Sequence, residues 1–445
     1  MKKQAQARRR RDRKRRPRSR TGRRTAGFRS RFDAGANAGY AEGVRAGTES
    51  FGTVFDGTSI IIPSYNQLGY LKKCLASIQM HTSVPYEIIV VDNASSDGTG
   101  AYLQSAGAGG GVRFRVLERN RGFAGAVNVG LMMARGSNLL LLNNDTIVTD
   151  RWLDNLLACL HSDPAVGMVG PVTNYISGDQ RIEVPYRDER GIAPFARRYN
   201  VSDPAKWQPT DRLTGFCLLF RRELFERTGY LDEGFEIGNF EDDDYNIRAR
   251  LQGYRLLTAR DTFIHHFGSV SMKALGSKLQ EVNDHNRDVY TAKWSNPHEL
   301  IQASRLPEAD RPARGETAFY PQGIAVRGAT ETRYWIEAGL RRPIAGETAM
   351  PVVRLSQIDV RRWPLGEPIA AEAAEAAWLA LPPIWEDGGA LYLAENGLRR
   401  RLPTAQAAEA WGLRLRRGEP LAPEQLPALG EGLPVIVPAR VSERL

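Results

Sequence analysis

Four acids stand side by side at Glu241-Asp242-Asp243-Asp244. Like charges this close raise one another's pKa, which makes a carboxylate usable as a general base near neutral pH. Asp244 has an ion-pair partner four residues on, Arg248, whereas its neighbours need none. The plainer alternative is a solvated helix start, because acids in a first turn are favoured by the helix dipole. Asp145 is a second candidate, standing after the apolar run Leu139 to Leu142 and two amides, Asn143 and Asn144. Oxygen ligands at a strand end suit a hard divalent cation that also holds substrate phosphates. His265 and His266 offer an imidazole to the same ion, which favours Mn²⁺ over Mg²⁺. A capping aspartate and a surface histidine pair remain the competing readings. Other chemistries fall away: there is no G-x-S-x-G elbow, no Walker A sequence and no G-x-G-x-x-G after a strand. Cys74, Cys159 and Cys217 are odd in number and widely spaced, so buried, reduced thiols are expected rather than disulfides or a zinc site.

These residues need elements to present them. Ser59-Ile60-Ile61-Ile62 reads as a buried strand closed by Pro63, and Leu68, Leu71, Leu75 and Ile78 follow at helical spacing. The alternation continues with strands at 87–92 and near 112–117, a helix over about 122–134 and the run ending at Leu142. A further strand is predicted over 213–220, a helix over 241–251, and a strand running into a loop at 264–268. The fold class is therefore α/β, with a mostly parallel sheet flanked by helices. Ligands in such sheets sit beyond the carboxyl ends of the strands. Ser64-Tyr65-Asn66, Asp92-Asn93 and Asn143-Asn144-Asp145 all fall at those ends.

The 445 residues carry a net charge of +10, but residues 1–31 hold 16 of the 61 Lys and Arg and only one of the 51 acids. Residues 1–32 are expected to be a disordered basic tail that meets phosphates without sequence specificity, or a solvated tail with no fixed partner. No apolar h-region follows these charges and no run reaches membrane-spanning length, so a cytoplasmic location is expected. Residues 33–56 are expected to form a Gly-rich linker or helix. Beyond about residue 315 an internal repeat appears: Tyr334 to Arg342 matches Tyr392 to Arg400 at an offset of 58, each with a Gly turn and paired arginines. Residues 315–375 and 376–440 are predicted to be two small β-rich units, or a duplicated spacer packed on the first domain.

Taken together, Thr58–Asn66, the sequence IIVVDNASSDGT at 88–99, NRGFAGAVNVG at 120–130, LLLNND at 140–145, FEDDDYNIRAR at 240–250 and HHFGS at 265–269 resemble the inverting family 2 glycosyltransferases of GT-A fold, close to their rhamnosyltransferase-like branch. The resemblance covers about residues 57–295, and the GT-A domain is expected over 57–300. It implies that Pro63 and Tyr65 border a nucleobase, that Asp92 hydrogen-bonds it, and that Asn66, Asn128 and Asn144 serve the nucleotide side. It implies Asp145 as the ligand of Mn²⁺ or Mg²⁺, although the family's D-x-D reads Asn143-Asn144-Asp145 here. Asp242 matches the general base, with Glu241 as its alternative. His266 matches the metal or diphosphate histidine when Ser271 sets the register, and His265 matches when the register moves by one. The implied donor is a UDP- or dTDP-sugar, and the implied acceptor is a glycan, a lipid-linked sugar or a protein of the cell envelope. Trp207 and the segment 175–212 are expected on the acceptor side, or Trp207 in the core. An anionic membrane surface is a further partner for residues 1–31, which would place the protein at the inner face of the membrane; no sequence-specific nucleic acid is expected. The alternative is an inactive transferase fold that tethers anionic polymer.

Overall fold

A continuous β-branched run belongs where both sheet faces are covered, and Ile60, Ile61 and Ile62 lie fully buried in mid-sheet. The computed structural model describes residues 54–108, 111–268, 276–304 and 315–442. The basic tail, nearly all of the Gly-rich stretch, and Ser269 and Ser271 lie outside the described residues. The first half alternates as expected: β1 (Phe55–Ser64), α1 (Leu68–His81), β2 (Tyr86–Asp92), α2 (Thr99–Ala108), β3 (Arg113–Val116), α3 (Gly122–Met133) and β4 (Gly136–Leu142). Then come β5 (Thr146–Ile147), α4 (Trp152–His161), β6 (Val166–Val172), α5 (Ile192–Tyr199), β7 (Trp207–Thr210) and β8 (Cys217–Arg221). The domain closes with α6 (Arg222–Thr228), α7 (Glu241–Leu251), β9 (Arg255–Phe263), β10 (His265–His266), α8 (Lys278–Trp294) and α9 (Pro297–Ala303).

The central sheet runs β3-β2-β1-β4-β8-β6-β9-β7. The β1–β2, β1–β4, β2–β3 and β6–β9 pairs are parallel, while β8 runs antiparallel to both β4 and β6, and β7 runs antiparallel to β9. Apolar side chains of α1 and α4, such as Leu75 and Leu156, cover one face. Val127 of α3, Phe225 of α6 and Tyr245 of α7 cover the other. The strand predicted over 213–220 starts only at Cys217. The reason lies in the amides before it: those of Leu213, Thr214 and Gly215 donate to Asn246 Oδ1, Gln180 Oε1 and Asp242 Oδ2 instead of to a neighbouring strand. That turn carries the chain to the functional cleft.

The two repeat units are present as sheets. The first, ordered β14-β11-β12-β13-β15, comprises β11 (Ile324–Arg327), β12 (Arg333–Glu337), β13 (Leu340–Ala345), β14 (Val352–Arg354) and β15 (Ile369–Ala370). The second is β16 (Trp385–Asp387), β17 (Ala390–Glu395), β18 (Leu398–Leu402) and β19 (Gly430–Glu431) in sequence order. Matching hairpins, β12–β13 and β17–β18, turn at Ala338-Gly339 and Asn396-Gly397, where both residues have positive φ, 50° and 73° in the first and 51° and 73° in the second. Two-residue turns of this kind match the twist of the strands they join, and glycine takes the second left-handed position without strain. The paired arginines are used internally. Arg342 bonds Glu337 at 2.8 Å, Arg400 pairs with the equivalent Glu395, and Arg400 also donates to the carbonyls of Ala318, Tyr320 and Leu433. Arg399 pairs with Glu431. The units pack on the first domain through one shared core that includes Ile247 and Leu251 of α7, Trp294, Trp363 and Trp411. Among the described residues no helix is long and apolar enough to cross a membrane.

Candidate active site

The carboxyl ends of β1 and β4, the turn before β8 and the start of α7 enclose a cleft of about 720 Å³. Pro63, Tyr65, Asn144 and Asp145 stand on its wall together with Glu241, Asp242 and His266. Seven of the residues singled out from the sequence therefore meet in one place.

Asp145 and His266 are brought together by the two-residue ladder of β5 and β10, which sets Thr146 opposite His266. The histidine Nε2 lies 3.2 Å from Asp145 Oδ1. The other ring nitrogen, Nδ1, is 2.7 Å from the carbonyl of Tyr175, so it carries the hydrogen and donates it there. Phe216 stacks on the imidazole at 5.4 Å and 17°. His266 Nε2 is buried and makes no hydrogen bond. An imidazole nitrogen and a carboxylate oxygen this close need a proton or a metal cation between them, and one nitrogen with one oxygen is a donor set that suits Mn²⁺. No group of three or more His, Cys, Asp or Glu converges among the described residues. A cation bound here would take its remaining ligands from elsewhere, such as a substrate diphosphate. His265 turns away: its Nδ1 meets the hydroxyl of Tyr186 at 2.9 Å, and burial, helped by the neighbouring His266, lowers its pKa to about 4.

The four acids at the start of α7 have four different environments. Asp244 is fully buried between Arg248 at 2.9 Å, Lys293 at 2.7 Å and the indole Nε1 of Trp294 at 2.9 Å. Burial alone would raise its pKa, but Lys293 and Arg248 outweigh that and hold it below the usual carboxylate value. Asp243 pairs with Arg212 at the rim of the cleft. Asp242 accepts from the amides of Gly215 at 2.7 Å and Asp243 at 2.9 Å. Even so, burial first and the charge of Asp243 second push its pKa up to about 6, against the opposing pull of Arg212. Glu241 is raised well above the ordinary range, by burial and then by Asp242, and its Oε2 has no hydrogen-bond partner. The loop ahead of α7 is strained. Ile237, Asn239 and Phe240 all have positive φ, at 59°, 78° and 73°, each costing on the order of 1–3 kcal/mol.

The structure sets three of these residues away from the cleft, Trp207 taking the second of its two readings. Asn128 does not reach the cleft: fully buried on α3, its amide bonds the carbonyl and amide of Leu231 and the carboxylate of Glu233, so it is a clamp for the loop before α7. Asn66 is consumed in the turn after β1, where it has a φ of 56° and its side chain accepts from the amide of Ser96. Trp207 sits at the sheet edge, donating to Asp261 Oδ2 at 2.9 Å and packing on the core rather than offering a face to the cleft. Asp92 is buried behind the cleft wall. One oxygen accepts from Ser95 N, while the other, Oδ2, has no hydrogen-bond partner. Ile176 and Ser177 of the segment 175–212, with Arg212, do line the cleft. Lys278, Asn283 and Arg287 of α8 line it too, and no local motif marks them.

Residues 59–229 match the sequence model of a known family, Glycosyl transferase family 2. This stretch is a family 2 glycosyltransferase domain. It holds the predicted nucleotide and metal residues up to Asp145, whereas α7, His266 and both C-terminal units lie beyond the matched region. The transferase region is 27% identical over 202 residues to glycosyltransferase GlyA of Streptococcus pneumoniae, covering 43% of this chain and 27% of that protein. It is 26% identical over 240 residues to the uncharacterized glycosyltransferase EpsJ of Bacillus subtilis, covering 53% of this chain and 68% of the other. The chain thus spans about a quarter of the length of GlyA. Among solved structures, the mannosyltransferase PcManGT of Pyrobaculum calidifontis, in complex with GDP-Man and Mn²⁺, is 22% identical with a TM-score of 0.40, over 58% of this chain and 68% of that one.

Proposed function

We propose that this chain is an inverting glycosyltransferase that moves a sugar from a nucleoside diphosphate donor, a UDP- or dTDP-sugar, to a hydroxyl of a glycan or other envelope acceptor. The observation that carries the reading is that one cleft is lined both by the Asp145–His266 pair, whose imidazole Nε2 makes no hydrogen bond, and by Asp242, a buried carboxyl raised towards neutral pH. Pro63 and Tyr65 flank the nucleobase. Asn144 holds Ser64 through a bond of 3.1 Å and so steadies the strand end beneath the nucleotide. Asp145 and His266 would hold Mn²⁺ or Mg²⁺, which supplies neutralisation of the charge that grows on a departing diphosphate. Asp242 takes the proton of the acceptor hydroxyl as that oxygen bonds to the anomeric carbon. The bond from that carbon to the diphosphate oxygen breaks, and its electron pair leaves with the nucleotide. A single displacement inverts the configuration. Burial raises the pKa of Glu241, which disfavours a second negative charge beside the base.

The test is release of nucleoside diphosphate from UDP-glucose, dTDP-glucose and GDP-mannose with Mn²⁺, with water or added glycans as acceptor. The proposal expects turnover of one donor by the wild type and its loss in Asp242→Asn. A folded wild type that turns over none of them and binds no nucleotide would instead support a tethering module.

A further inference from the structure

Asn286 lies fully buried on α8, more than forty residues beyond the acids of α7, and its side-chain amide is spent on the strained loop that precedes them. Its Oδ1 accepts from the amide of Glu236 at 2.9 Å. Its Nδ2 faces three carbonyls, those of Glu236 at 3.0 Å, Gly238 at 2.9 Å and Asn239 at 3.1 Å. One turn earlier on the same helix, Asn283 accepts from Asn239 Nδ2 at 2.8 Å. On its other side the loop meets α3, where the amide of Phe123 donates to Ile237 O and a side chain on Gly122 would fall 3.1 Å from Ile237 N. A loop with three left-handed non-glycine residues keeps that shape only if its surroundings over-determine it. Asn286 is the group that satisfies most of its backbone.

We infer that Asn286 is a positioning residue for the proposed transfer reaction: it holds 236–240 in the strained form that forms one wall of the cleft and presents Glu241 and Asp242. The inference rests on the reading of Asp242 as general base. It assigns the amide to the acceptor side and not to the nucleotide side, because residues 63–65 and the Asp145–His266 pair approach the cleft from other elements. Loss of the amide therefore lowers turnover and leaves nucleotide binding intact.

Asn286→Asp keeps the size and replaces the donor with a carboxylate facing three carbonyls. Asn286→Gln keeps the amide on a longer stem. In the full chain, the expected result for Asn286→Asp is an unchanged circular dichroism spectrum and affinity for UDP or GDP with Mn²⁺ within threefold of wild type. Its kcat for donor turnover should fall at least tenfold at near-constant donor KM, with partial recovery in Asn286→Gln. Amide hydrogen exchange of 236–244 should quicken at least tenfold while that of β1 and β4 stays the same. An unchanged kcat in a folded Asn286→Asp variant overturns the inference, as does a fall in nucleotide affinity equal to the fall in kcat. If the wild type turns over no donor, the transferase reading fails by itself, and the exchange measurement still decides on Asn286: equal protection of 236–244 in both proteins refutes it.

Discussion

Replacing Asp242 by asparagine removes the proposed base and also a source of instability. In the unfolded chain this carboxyl titrates near 3.8, and in the fold near 6, chiefly because it is buried. Below 3.8 it is protonated in both states and contributes nothing. Between 3.8 and 6 the folded protein holds a proton that the unfolded chain has released, so stability falls as pH rises. Above 6 the full penalty is present: about two pKa units, or at most about 3 kcal/mol. Asparagine carries no charge, so the penalty vanishes in the variant. It also turns one N–H of its amide towards the amide of Gly215 or Asp243, which costs about 1–3 kcal/mol independent of pH. The assay is urea unfolding of both proteins from pH 4 to pH 8. The stability of Asp242→Asn relative to wild type should improve by about 2–3 kcal/mol across that range, most of it between pH 4 and 6.5. Over the same range the wild-type kcat/KM should rise with pH on a limb centred near 6, and the variant should lose roughly 10²-fold or more in kcat. A stability difference that stays flat from pH 4 to 8 would refute the assignment of a raised, proton-holding carboxyl at this position.

Further outcomes follow from the same geometry. Lys293→Met leaves Asp232 and Asp244 buried without their shared cation and should cost about 3–5 kcal/mol in urea unfolding. Because the folded pKa of Asp244 is depressed, that loss should be full at pH 7 and shrink as pH falls below about 3.8. His265→Phe removes only a bond to Tyr186 and should leave Mn²⁺-dependent nucleotide affinity within threefold; a tenfold loss would make His265 the ligand. Deletion of residues 1–31 should abolish salt-sensitive adhesion to phosphatidylglycerol vesicles and leave nucleotide affinity unchanged; equal adhesion of both proteins would remove the tail from any membrane role.

The alternating strands and helices from Phe55 to Leu142 are legible because each apolar run ends in a polar group at the sheet's carboxyl edge, and α7 begins and ends where its acids and Leu251 predict. Strand β6 is harder to read, since Gly167, Gly170 and Pro171 interrupt a run that neighbours cover on both faces. The two-residue ladder β5–β10 has no periodicity at all, yet it is what joins Asp145 to His266 across more than a hundred residues. Asn128 shows the limit of motif transfer: its place in a conspicuous segment is explained by three hydrogen bonds to a distant loop, not by contact with the cleft. The arginine pairs of the repeats are conspicuous in sequence, but their partners are not: glutamates at matched positions, five residues earlier, receive Arg342 and Arg400 within each hairpin. Asn286 and Arg212 act through contacts made only once distant elements have packed, so no local pattern marks them.

Calorimetric titration of wild type, Asp145→Ala and His266→Ala with UDP, dTDP and GDP, each with and without Mn²⁺, decides whether the cleft binds a nucleotide through a metal. One nucleotide should bind the wild type at least tenfold more tightly with Mn²⁺, and either substitution should remove the Mn²⁺ effect while the metal-free affinity persists. Binding that ignores Mn²⁺, or a metal effect that survives in both variants, would contradict binding through a metal at this pair.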